Sequence, residues 1–126
     1  MIGYDIDKTV FAPGEKIFLQ LWWRADAADL ANWTVFTHVV GPPKADGNPV
    51  WAGLDAPPGQ GSAAMSTWAA GEVILDEYQI ALPGEMPPGD YALEIGLYLP
   101  AEGGRRLPLE APAGQDHLIL RTVRVQ

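Results

Sequence analysis

Hydrophobic and polar positions alternate with a period of two in several short stretches of this chain, as expected of strands with one buried face. The clearest stretch is 91–99. There Tyr91, Leu93, Ile95, Leu97 and Leu99 share one parity, and Ala92, Glu94, Gly96 and Tyr98 the other. Residues 16–24 alternate as well, with Ile17, Leu19, Leu21 and Trp23 forming the better core face opposite Phe18, Gln20, Trp22 and Arg24. A third strand is predicted over 73–82, with Tyr78, Ile80 and Leu82 inward and Asp76 on the same parity near its beginning. The stretch 33–40 is apolar on both parities, which fits a central strand covered on both sides and leaves its inward face open. Weaker patterns predict an edge-like strand over 2–7, a strand over 49–55 and a short one over 106–109. A last strand over 117–125 has a blurred alternation that points to a bulge.

Turn chemistry separates these stretches. Proline fixes φ and glycine supplies positive φ, so Pro13-Gly14, Pro83-Gly84 and Pro87-Pro88-Gly89 read as corners and 41–48 as a hairpin-like loop. Residues 25–31 read as a loop or a single helical turn, and 101–105 and 110–115 as further connections. Residues 56–71 form a long connection without periodic signal, for which Trp68 is the expected anchor. The run Gly89-Asp90-Tyr91-Ala92-Leu93 has the layout of a tyrosine corner, in which a tyrosine hydroxyl bonds back to the loop before its own strand. Leu93 then occupies the place of the antibody-domain cysteine. Together these features predict an all-β, immunoglobulin-like sandwich of two antiparallel sheets, about seven to eight strands, as one domain over 1–126.

Composition narrows the function classes. Hydrophobic residues make up 48% of the 126, enough for a sizeable core. The formal net charge of −8, without a lysine or arginine cluster beyond Arg105-Arg106, argues against nucleic-acid partners. Cysteine is absent, which removes thiol chemistry and cysteine-zinc sites. No stretch has the length of a membrane span, and no N-terminal signal pattern is visible, so direct membrane insertion is not expected. Met1-Ile2-Gly3 runs straight into strand-like sequence, as in a domain cut from a longer protein.

Three groups carry candidate chemistry. His38, mid-strand, could pair with Asp55 or Asp76 as a general base or metal ligand, but no nucleophile motif accompanies it. A buried polar network of His38, Asp55 and Asp76 that fixes strand register is the simpler reading. Asp55, Glu72 and Asp76 could serve as a carboxylate pair or bind calcium, although their spacing matches no calcium loop. No other cofactor is expected. Among the aromatics, Trp22, Phe18 and Tyr98 fall on outward parities. Trp22, Trp51, Trp68 and Tyr98 are the residues that could stack on sugar faces, with packing as the alternative.

The ordered run of short motifs resembles a known family. These are Gly3-Tyr4, Pro13-Gly14-Glu15, Leu21-Trp22-Trp23-Arg24, Val35-Phe36-Thr37-His38, Asp55, Pro57, Gly59, Thr67-Trp68, Gly71-Glu72-Val73-Ile74, Asp76, Leu82-Pro83, Pro88-Gly89-Asp90-Tyr91, Gly96-Leu97-Tyr98 and Arg106-Leu107. They resemble the C-terminal β-sandwich domain of large bacterial, Chloroflexi-type membrane proteins of the glycosyltransferase or mannosyltransferase-like kind. Gly41-Pro42-Pro43 and the linker before Thr67 depart from the pattern. The resemblance implies an extracytoplasmic, non-catalytic accessory domain whose partner is the rest of its parent protein, and it supplies no catalytic residues. A carbohydrate-binding module, with or without calcium assistance, is the alternative.

Overall fold

The computed structural model describes residues 1–108 and 114–126. The strand predicted over 106–109 and the loop over 110–115 therefore lie partly outside the described residues. Among the described residues, nine strands form two sheets: β1 (Gly3–Ile6), β2 (Val10–Phe11), β3 (Lys16–Arg24), β4 (Thr34–Val40), β5 (Val50–Ala56), β6 (Val73–Ala81), β7 (Gly89–Leu99), β8 (Arg105–Arg106) and β9 (Leu118–Val125). Sheet A has the order β1-β3-β6. Sheet B has the order β2-β9-β7-β4-β5, with β8 paired to β7. The chain is an immunoglobulin-like β-sandwich.

The alternating parities become the core. Ile17, Leu19, Leu21 and Trp23 of β3 pack with Tyr78 and Ile80 of β6 against Val35 and Val39 of β4 and Leu93 and Ile95 of β7. Full burial of each aliphatic chain contributes about 2 kcal/mol. On β4 the inward set is Val35, Thr37 and Val39, which resolves the parity that the sequence left open. Thr37 is tolerated there because its hydroxyl donates to the carbonyl of Leu54 at 2.7 Å and accepts from that residue's amide. The expected bulge in the last strand appears as a register shift opposite Leu93 and Glu94.

The tyrosine corner is present: the Tyr91 hydroxyl donates to the Pro87 carbonyl at 2.7 Å. Its buried ring and this bond pin the turn before β7, and burial pushes the phenol pKa up. Strand β2 was not anticipated. After β1 the chain leaves sheet A and runs parallel to the end of β9, burying Phe11. Two residues are too short to show a period.

Between β5 and β6 the chain makes two short 3₁₀ turns, Pro58–Gly61 and Met65–Thr67, and no strand. Met65 and Trp68 insert into the core from this loop, and the Trp68 indole donates to the Ala63 carbonyl at 2.9 Å. Trp68 is thus the anchor that the sequence suggested.

Candidate functional site

The polar residues singled out in the sequence separate into two clusters on opposite sides of sheet B. Asp76 points into the space between the sheets and is 0% exposed. Its carboxyl oxygens accept from the Trp23 indole at 3.2 Å, the Tyr78 hydroxyl at 2.6 Å and the Gly59 amide at 2.8 Å. Burial, then the bond to Asp76, pushes the Tyr78 pKa far up. The Gly59 bond ties the long loop to sheet A. Gly59 itself sits at φ +65°, where an added Cβ would also stand 2.6 Å from the Ser62 hydroxyl. Every polar contact of Asp76 is internal, so its chemistry is that of a structural node.

His38 lies on the outer face of sheet B, which corrects the expectation of a single buried network. Its Nε2 is 3.5 Å from Asp55 and its Nδ1 is 3.8 Å from Glu94, the residue directly across on β7. Asp76 is not among these partners, and the Asp55 side chain is 41% exposed. The physical reason is parity. His38 alternates outward with Phe36, while Asp76 belongs to the inward set of the other sheet.

Sequence reasoning missed the rest of this cluster. Glu94 lies 3.8 Å from His117 Nε2 on its far side, and His117 Nδ1 lies 3.2 Å from Asp116. Asp116 also accepts from Arg106 at 3.4 Å, and its pKa is lowered chiefly by the bond to His117. Tyr98 donates to Asp55 at 3.2 Å; burial first and then Asp55 raise its pKa. The only available signal was the shared outward parity of Glu94 and Tyr98.

Two rings of β4 cover glycines on the neighbouring strands of this face. Phe36, 1% exposed but outside the main core, lies over Gly96, where a Cβ would stand 2.2 Å from its ring. His38 lies over Gly53. The Arg106 guanidinium caps Phe36 at 4.4 Å from the ring centroid. The arrangement is a filled surface of stacked rings and paired charges. Among the described residues, no group of three or more His, Asp or Glu side chains converges as metal ligands, so Asp55, Glu72 and Asp76 do not form a calcium site. Asp55 and Asp76 lie on different faces.

The four aromatic candidates do not share a surface. Trp68 is buried in the core, a correction to its place among the sugar-stacking residues. It is consumed in closing the gap that the long loop spans. Trp51 is half-buried at the β4–β5 end, its indole donating to the Pro42 carbonyl at 2.9 Å and its ring edge-on to Tyr91. Tyr98 belongs to the outer face of sheet B. Trp22 alone lies on the outer face of sheet A.

That second face is open. Register places Trp22 beside Gly3 and Leu75, Gln20 beside Asp5 and Glu77, and Phe18 beside Gln79. Phe18, Leu75 and Val73 are about half exposed, and Trp22 is half-buried. An open depression of about 580 Å³ lies over Asp5, Asp7, Phe18, Gln20, Glu77 and Gln79 and reaches Leu54 of β5 and Gln60 of the long loop. No protein-family model matches the chain, and no curated protein matches it significantly. Among the described residues, no helix is long and apolar enough to cross a membrane.

Proposed function

We propose that this sandwich is a non-catalytic accessory and interaction domain of a larger bacterial cell-envelope protein, engaging its partners through the outer face of sheet A. The observation that carries this reading is that face itself. Phe18, Leu75 and Val73 present apolar surface there on a three-stranded sheet, alongside Trp22, and none of the other described residues covers them. The internal use of polar groups is consistent with it: Asp76 serves packing, and the Ser62 hydroxyl donates to the Gly59 carbonyl. An antibody against the domain tests the assignment by immunoblot of fractionated cells. A band well above the mass of these 126 residues, in the envelope fraction, is expected. A soluble band at the mass of the domain alone would overturn it.

Carbohydrate binding is the second reading. It is favoured by Phe18 and Trp22, which occupy alternate outward positions of one strand about 13 Å apart with Gln20 between them. Two rings on one rigid face, with amides and carboxylates alongside, match the alternating apolar and hydroxyl surfaces of linked sugar rings.

A further inference from the structure

The depression on sheet A has a charge pattern that selects among ligands. Three carboxylates line it, Asp5 and Asp7 from the β1 side and Glu77 from β6, together with the amides of Gln20, Gln60 and Gln79. Among the described residues, no lysine, arginine or histidine lines it. Among the described residues, none of the three carboxylates is in an ion pair. Lys8, next to Asp7, is held by Glu15 and lies over the Phe11 ring.

Each carboxylate spends one oxygen inside the protein. Asp5 Oδ1 accepts from the Ile6 amide at 2.9 Å, Asp7 Oδ1 from the Phe18 amide at 3.3 Å and Glu77 Oε2 from Gln20 at 3.4 Å. These bonds orient the groups and leave Asp5 Oδ2, Asp7 Oδ2 and Glu77 Oε1 without a protein donor among the described residues. Like charges on one face repel, so a cation placed among them lowers the energy of the whole set. The Phe18 ring, 48% exposed at the same place, attracts cations over its face and stacks on apolar C–H surface.

We propose that the outer face of sheet A binds an amine-bearing oligosaccharide. A sugar ring stacks on Phe18, the carboxylates of Asp5, Asp7 and Glu77 attract its ammonium, and neighbouring rings extend toward Trp22. The glutamine amides, each both donor and acceptor, meet the hydroxyls. This inference rests on the carbohydrate reading above and adds the ligand class.

The test is calorimetric titration of the whole chain at roughly pH 6, where the sugar amine is protonated. Three probes are compared: a glucosamine oligomer, the N-acetylated oligomer of equal length, and oligolysine of matched charge. Saturable binding of the glucosamine oligomer is expected, at least ~10-fold tighter than of the acetylated one. Phe18→Ala and the isosteric pair Asp5→Asn, Glu77→Gln should each weaken it by ~10-fold or more at unchanged Tm, with Trp51→Ala as a neutral control. Equal binding of both sugars, lost in Phe18→Ala, would overturn the amine preference and keep the carbohydrate reading. No binding of either sugar would overturn both. Oligolysine binding as tight as the glucosamine oligomer and indifferent to Phe18→Ala would reduce the face to general charge attraction and overturn the proposal.

Discussion

Asp76 and Glu94 each draw two ring-bearing side chains toward a carboxyl group, but one does so between the sheets and the other outside them. Asp76 sits where water cannot reach, and its oxygens take direct bonds from Trp23, Tyr78 and the Gly59 amide. Glu94 stands between His38 and His117 at 3.8 Å from each, beyond direct hydrogen-bond length. The difference is one of consequence. A buried donor that loses its acceptor carries its full desolvation cost, whereas groups near the surface recover bonds from water. The same residue type is therefore a structural keystone in one place and a replaceable neighbour in the other.

Removing the buried node should have the largest effect. Asp76→Ala strands three donors and frees the long loop, so a loss of about 3 kcal/mol or more is expected in urea denaturation. A loss below about 1 kcal/mol would erase the contrast with Glu94. On the outer face, packing dominates charge. Gly96→Ala forces a Cβ into the Phe36 ring and should cost about 2 kcal/mol by the same measurement, as overpacked sites do. A neutral result would mean that the Phe36–Arg106 stack yields freely.

Tyr78 sharpens the comparison through pH. Its folded-state pKa is raised, mainly by burial and then by Asp76, so the neutral phenol is the form that the fold holds. That contribution is fully present below the unfolded value of about 10 and is lost as pH rises toward the folded value. Tyr91 and Tyr98 shift in the same direction. Stability should fall as pH climbs past about 10. Tyr78→Phe should cost about 1 kcal/mol at neutral pH and flatten this alkaline limb, read by denaturation at several pH values. A limb of unchanged slope would assign it to other groups. The smallest effect belongs to Glu94→Gln, which should shift stability by less than about 1 kcal/mol at neutral pH. A larger loss would make the outer cluster a structural node as well.

Much of the fold was legible because its signals are local. The inward parity of β3, β6 and β7, the corner at Tyr91, the anchoring by Trp68 and the bulge in β9 each follow from side-chain period or turn chemistry within a few residues. Strand β2 was illegible because two residues carry no period. The candidate sites were read less well. His38, Asp55 and Asp76 are equally polar in sequence, and only the sheet that each strand joins separates them. Glu94 read as one more outward residue, and nothing in the sequence set Asp116 and Arg106 beside the histidines.

By itself the sequence determined the class of fold and which face of most strands turns inward, since a period of two is written in consecutive residues. The tertiary structure alone decided which strands become neighbours. It thereby placed Asp76 between the sheets, His38 outside them, and Asp5, Asp7, Phe18 and Glu77 around one open depression. Pairing order is fixed by contacts between residues far apart in the chain, and no local pattern encodes those meetings.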